Sequence, residues 1–254
     1  MKVIILGSGT AVPMTDRGSP GAAVFVDNHP ILFDMGPGTL RQLARLGISH
    51  ETIERIFLTH FHPDHTADLI HFLFATRSPD VLKSRSPFSV CGPAGLSEFI
   101  HALQWAYPRW LNIPPEIMRI EELAASEHHE WNYGSFRVKT APSNHTPGSL
   151  AYRIKDREGK RVVFSGDTGF CKDIIRLAKG ADLLILEAAF PDGHEIKGHL
   201  TPYLAGRTAR LAGVKRLVLT HFYPVCLKSD IAAQCRRSYH GELTLGEDLL
   251  SIHI

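Results

Sequence analysis

Four cysteines occur in 254 residues, and no two form a C-x-x-C pair. Cys91, Cys171, Cys226 and Cys235 are scattered, which excludes a disulfide framework and reads as reduced thiols, mostly packing residues, in a cytoplasmic protein. Long hydrophobic runs are also missing. No apolar stretch approaches membrane-spanning length, so no membrane partner is expected. The run Val3–Leu6 is stopped by Gly7-Ser8-Gly9; it is too short for a signal sequence and reads as a first strand. There is no internal repeat, low-complexity tract or Gly/Ser linker, so residues 1–254 are expected to form one domain. A large charge excess is absent too. Lys and Arg total 28 against 26 Asp and Glu, a net charge of +2, whereas dedicated nucleic-acid binders usually carry a stronger basic excess. Hydrophobic residues make up 44% and charged residues 21%, which argues against disorder.

What the chain does contain is short β-rich runs alternating with helical patterns. Strands are expected at Val3–Leu6, Ala22–Val26, Ile31–Asp34, Arg55–Leu58, Phe88–Cys91, Phe136–Thr140, Leu150–Ile154, Arg161–Phe164, Leu183–Leu186 and Arg216–Leu219. Helices are expected at Thr39–Leu46, Thr66–Thr76, Gly95–Trp105, Cys171–Ala178, Pro202–Ala212 and Lys228–Arg236. Thr201-Pro202 has the form of an N-cap followed by proline at the first helical position. Two similar halves suggest an α/β fold, a four-layer αββα sandwich. The segment Trp105–Glu122 is rich in proline and aromatics. It reads as an irregular loop, and the aromatics of Trp105–Trp110 as core packing, an active-site flap or an interface.

Histidine is the unusual component, with 15 residues. His60-Phe61-His62-Pro63-Asp64-His65 places four metal-binding side chains within six residues, directly after a strand. Imidazole and carboxylate groups of this density suit zinc. A loop leaving a strand end can aim alternate residues to one side, so His60 and His62 can share one ion, while Asp64 and His65 lie further on and can reach a second. Three later residues also follow strands: His145, Asp167 and His221. Each alone is a weak signal. Thr220-His221 repeats the layout of Thr59-His60.

Together these motifs resemble the metallo-β-lactamase superfamily, in its ribonuclease Z and phosphodiesterase-like branch. The resemblance covers nearly the whole chain: Gly7-Ser8-Gly9-Thr10-Ala11-Val12-Pro13, Phe33-Asp34-Met35-Gly36-Pro37-Gly38-Thr39, the histidine-rich loop, Gly92-Pro93-Ala94-Gly95, Ser165-Gly166-Asp167-Thr168-Gly169, Leu186-Glu187-Ala188-Ala189-Phe190, Gly198-His199-Leu200-Thr201 and Leu219-Thr220-His221. It implies the metallo-β-lactamase fold and two Zn2+ per chain, with Mn2+ or Fe as alternatives for the same donors. His60, His62 and His145 would hold one ion and Asp64, His65 and His221 the other, with Asp167 bridging. Asp34 would hydrogen-bond to the metal loop.

The resemblance further implies a hydrolase whose nucleophile is a metal-bridging hydroxide. His199 would act as general acid or oxyanion stabiliser, Glu187 would orient it, and Asp64 would belong to the same catalytic group. Two departures bear on the substrate. Ribonuclease Z proteins usually insert a long tRNA-gripping arm between the positions of His145 and Asp167, where only 21 residues lie here. Pro37 also stands where those proteins usually have Glu. A phosphodiesterase acting on a small-molecule phosphoester is therefore favoured over a ribonuclease Z-like RNA endonuclease. A lactonase, β-lactamase, phosphotriesterase or arylsulfatase using the same metals is the third reading. Related proteins are often dimers, which allows a homodimer here.

Overall fold

The structure, a computed structural model, describes residues 1–125 and 129–254. In chain order the strands are β1 (Lys2–Gly7), β2 (Gly21–Val26), β3 (His29–Phe33), β4 (Arg55–Phe57), β5 (Phe88–Gly92), β6 (Met118–Glu122), β7 (Trp131–Asn132), β8 (Phe136–Pro142), β9 (Leu150–Asp156), β10 (Arg161–Phe164), β11 (Leu183–Glu187), β12 (Arg216–Thr220), β13 (Glu242–Leu245) and β14 (Ser251–His253). The α-helices are α1 (Thr39–Arg45), α2 (Pro63–Thr76), α3 (Pro79–Ser84), α4 (Leu96–Ala106), α5 (Lys172–Leu177), α6 (Pro202–Ala212) and α7 (Ile231–Arg236). Among the described residues the strands form two seven-stranded mixed sheets. One has the order β14-β1-β2-β3-β4-β5-β6 and the other β13-β12-β11-β10-β9-β8-β7.

The sequence dictates the layering through alternation along each strand. In β1, Val3 and Ile5 enter the core between the two sheets, while Ile4 and Leu6 face helices on the outside. In β11, Leu183 and Ile185 face the other sheet, while Leu184 and Leu186 face the helices. A strand covered on both faces reads as a continuous apolar run, as in Val3–Leu6 and Leu183–Leu186. Three cores result, one between the sheets and one under the helices on each side. This is the expected four-layer αββα sandwich. Tyr152 ties the middle together: its ring packs against Phe33 and Phe57, and its hydroxyl donates to the Leu58 carbonyl at 2.6 Å.

All ten expected strands are present, and four more join them at or near the sheet edges: β6, β7, β13 and β14. The segment Trp105–Glu122 is irregular only over residues 107–117, because α4 continues through Trp105 and β6 begins at Met118. Trp110 packs edge-on against Phe74 near the C-terminal end of α2, about 15 Å along the helix from Asp64 at 1.5 Å per residue. That position does not suit a flap. Helix α2 starts at Pro63 rather than Thr66, so Asp64 and His65 belong to its first turn and not to the preceding loop.

The strands β3, β4, β5 and β6 run parallel, as do β10, β11, β12 and β13. Loops leaving the carboxyl ends of β3, β4, β8, β10 and β12 carry Asp34, His60, His145, Asp167 and His221, and Glu187 is the last residue of β11. No helix among the described residues is long and apolar enough to cross a membrane.

Candidate metal centre

These loops and the first turn of α2 bring the seven candidate ligands together. The metal-binding atoms of His60, His62, His145 and Asp167 lie within 4.8 Å of one another, and so do those of Asp64, His65 and His221. Asp167 links the two groups through its two oxygens. Its Oδ2 lies 3.9 Å from His60 Nε2 and 3.7 Å from His145 Nε2. Its Oδ1 lies 3.2 Å from His65 Nε2 and 3.1 Å from His221 Nε2. Asp64 Oδ2 completes the second group at 3.8 Å from His65 Nε2 and 3.7 Å from His221 Nε2.

Hydrogen bonds behind the centre select the tautomers. His60 Nδ1 is 3.0 Å from Thr59 Oγ1, His65 Nδ1 is 2.7 Å from Asp34 Oδ2, and His145 Nδ1 is 3.0 Å from the Gly198 carbonyl. Each contact puts the ring proton on Nδ1 and leaves Nε2 free to bind an ion. Asp34 also accepts from the Thr59 amide at 2.7 Å and the Thr59 hydroxyl at 2.9 Å. One fully buried carboxylate thus fixes both ends of the histidine-rich segment.

The donors fit a metal. His60 Nε2, His65 Nε2, His221 Nε2 and Asp167 Oδ1 are buried polar atoms without a hydrogen-bond partner, a costly condition that coordination removes. Burial foremost, then the neighbouring His65 ring, pushes His60 down to about 2, the neutral form a ligand must have. Burial opposes ionisation of Asp167, yet the facing His221 and His65 rings hold its carboxyl well below the usual range.

Backbone geometry brings the loops close. Asp34 (φ 57°) and His221 (φ 61°) adopt left-handed conformations at the ends of their strands. Gly166 (φ 57°) abuts Thr59, where an added Cβ would lie 2.6 Å from the Thr59 Cβ. Asp167 does not cap α5, whose N-cap is Cys171.

Beside the centre stand the two remaining candidates. His199 Nδ1 donates to Glu187 Oε1 at 2.9 Å. Glu187 is buried and accepts three further bonds, from the amides of Thr168 (2.8 Å), Leu200 (3.1 Å) and Ala189 (3.2 Å). A metal-binding nitrogen of His199 lies within 4.8 Å of Asp167 and His221 donor atoms. Phe190 and Tyr223 stack on each other at 4.6 Å, and each also approaches the His199 ring. Residue patterns did not single out Thr59, Gly198 or Tyr223 for the site. The repeated Thr-His at strand ends was the signal for Thr59, and the glycine before His199 was the signal for Gly198.

Comparison with known proteins places this geometry in a context. A family described as the beta-lactamase superfamily domain matches residues 29–222. Ribonuclease Z of Mycobacterium sp. (strain KMS) is 30% identical, with all of this chain and 96% of the relative aligned. Ribonuclease Z of Methanothermobacter thermautotrophicus is 28% identical over 305 aligned positions, covering 100% of this chain and 97% of the relative. Among solved structures, human tRNase Z, short form, is 28% identical with a TM-score of 0.79, covering 100% of this chain and 99% of that one. The metallo-beta-lactamase fold protein YhfI from Bacillus subtilis superposes with a TM-score of 0.85 at 22% identity, covering 99% and 98% of the two chains.

Proposed function

Because the chain belongs to the beta-lactamase superfamily and is a metal-dependent hydrolase, we propose that it is a binuclear zinc phosphodiesterase of the ribonuclease Z-like kind. The observation that carries this reading is the Glu187–His199 pair beside the donor cluster. His60, His62 and His145 would hold one ion, and Asp64, His65 and His221 the other, with Asp167 between them. When bound, the ions supply Lewis acidity toward a phosphoryl oxygen and lower the pKa of water at the site.

The chain's own groups supply the rest. Glu187 holds His199 by its Nδ1 proton and so presents Nε2 to the substrate side. Burial works against a charged His199, but the bond to the Glu187 carboxylate outweighs it and raises the pKa. An imidazolium at this position can donate its Nε2 proton to a departing alkoxide or stabilise charge on the phosphoryl oxygens. A phosphodiester, unlike a lactone or a lactam ring, also brings a negatively charged phosphoryl group that such a cation complements. Asp64 would help to hold the second ion.

Between His145 and Asp167 the chain is taken up by β9, a turn and β10. The relative from Methanothermobacter aligns over 305 positions against the 254 residues here. There is no room for a tRNA-gripping arm at that point, so small or cyclic diesters are the first substrates to expect. A second reading, an RNA endonuclease that grips RNA by another surface, is favoured by full-length similarity to proteins named ribonuclease Z. A panel of bis-p-nitrophenyl phosphate, cyclic AMP, pre-tRNA, a lactone, an aryl sulfate and nitrocefin tests both. Clear diester turnover with little lactone or nitrocefin hydrolysis is expected. Strong 3′-end cleavage of pre-tRNA would replace the first substrate class with the second.

A further inference from the structure

The outer face of the second sheet carries cations directly opposite cations. Lys139 of β8 pairs with Arg153 of β9. Lys155 of β9 lies between Arg137 of β8 and Arg161 of β10, opposite both. Side chains at paired positions point to the same face. Ala141, Ala151 and Val163 on that face pack under the helices, so the five cations two or more positions along point outward as well. They form two rows beyond the end of α5. Arg153 donates to the carbonyl of Leu177, the last residue of that helix.

Like charges directly opposite each other in a sheet are destabilising. A solvated strand face needs polar side chains but has no need of matched cations. The acidic groups nearby are already engaged: Glu130 meets Arg137 at 3.4 Å, Asp173 meets Arg176 at 3.4 Å, and Asp182 accepts the Arg161 amide and pairs with Lys215. Neither row contains an acidic residue. Arg161 Nε is buried without a partner. Arg153 is held below its usual range by burial first and then by Arg161. The rows lie about 7 Å apart along the strands, at about 3.3 Å per residue. That step is comparable to the spacing of phosphates in an extended single strand. Clefts of about 410 Å³ and 350 Å³ flank them, the charged lining of the first being Lys139, Arg153, Asp173 and Arg176 and of the second Arg137, Lys155, Asp156 and Arg157.

The geometry points to this face as a docking surface for the phosphate backbone of a single-stranded polynucleotide. Strand β10 runs from Arg161 to the Asp167 loop, about 20 Å in six extended residues, with α5 packed on the face between, so a strand held on the rows would pass around α5 to reach the metal centre. The inference rests on the phosphodiesterase reading and deepens it: the grip missing with the arm would be supplied by the sheet face itself. Ala125, Ala141, Pro142 and Leu177 line the first cleft, but no large exposed apolar residue among those described stands on β8, β9 or β10 to enter a lipid surface, and the step of about 7 Å suits a polynucleotide better than an acidic protein.

The test uses the zinc-loaded full chain and the double variant Lys139→Glu/Lys155→Glu. Binding of a fluorescein-labelled, phosphorothioate-linked 15-mer RNA is read by anisotropy from 50 to 200 mM salt. The variant should bind at least about tenfold more weakly and lose roughly one to two units of the slope of log K against log salt. Its thermal midpoint should hold or rise, since opposed cations are relieved. Turnover of bis-p-nitrophenyl phosphate should be unchanged. Unchanged RNA affinity and slope in the variant would overturn the docking surface while leaving the phosphodiesterase reading intact. Charge-dependent binding to phosphatidylserine vesicles or poly-glutamate as tight as to the RNA would overturn the choice of partner. Absence of diester turnover in the parent chain would overturn the reading beneath it.

Discussion

His199 donates its Nδ1 proton to Glu187 at 2.9 Å, and Glu187 is itself fixed by three backbone amides. The histidine is therefore held by a carboxylate that has little freedom to move. Glu187→Gln keeps the shape of the side chain but sets an amide against donors. Metal content should stay at the parental level, kcat on bis-p-nitrophenyl phosphate should fall roughly tenfold to a hundredfold, and stability should fall by about 1–3 kcal/mol. Kinetics with metal analysis and urea unfolding on the same preparation check all three.

Asp167 offers one oxygen to each donor group, so its loss should affect both ions at once. Asp167→Ala should lose nearly all bound zinc. Asp34→Ala removes only the partner of His65 and Thr59, so metal affinity should weaken about 10–100-fold without vanishing. Titration against a chromophoric chelator separates the two outcomes. Equal losses in both variants would contradict the bridging assignment.

Gly166 sits with φ 57° against Thr59. A methyl there must displace Thr59, which supports His60 directly and His65 through Asp34. Gly166→Ala should cost about 1–3 kcal/mol through overpacking and reduce zinc affinity as well. Thermal unfolding with and without added zinc tests this, and an unaltered zinc response would refute the coupling.

The donors sit on the ends of strands whose cores are independent of the ions. Chelation should therefore lower the thermal midpoint without unfolding the chain at room temperature. The loss is about 2.7 kcal/mol if free metal stood at roughly a hundred times Kd. Circular dichroism before and after EDTA checks it, with zinc addition expected to restore the midpoint.

Much of this was legible in the sequence because doubly covered strands announce themselves as apolar runs. Val3–Leu6 and Leu183–Leu186 are of this kind. The strands that went unread have little apolar signal: Met118–Glu122 and Glu242–Leu245 lie at sheet edges and are half polar. Helix α2 was read three residues short, although Pro63 at its first turn marked the true start. The ligand set was legible because each donor follows a strand end. Residues that act through backbone atoms or through another side chain are harder to read: Gly198 behind His145 is marked only by its place before His199. The opposed cations of β8, β9 and β10 are separated in sequence and come together only through the strand register.

The central claim is that His199 moves a proton for the reaction and does not hold the metal. The most direct measurement is zinc content and kcat of His199→Ala on bis-p-nitrophenyl phosphate, made on one preparation beside the parent chain. The account predicts parental zinc content with kcat reduced by about 10²–10⁴-fold. Unchanged turnover, or turnover lost together with zinc, would contradict it.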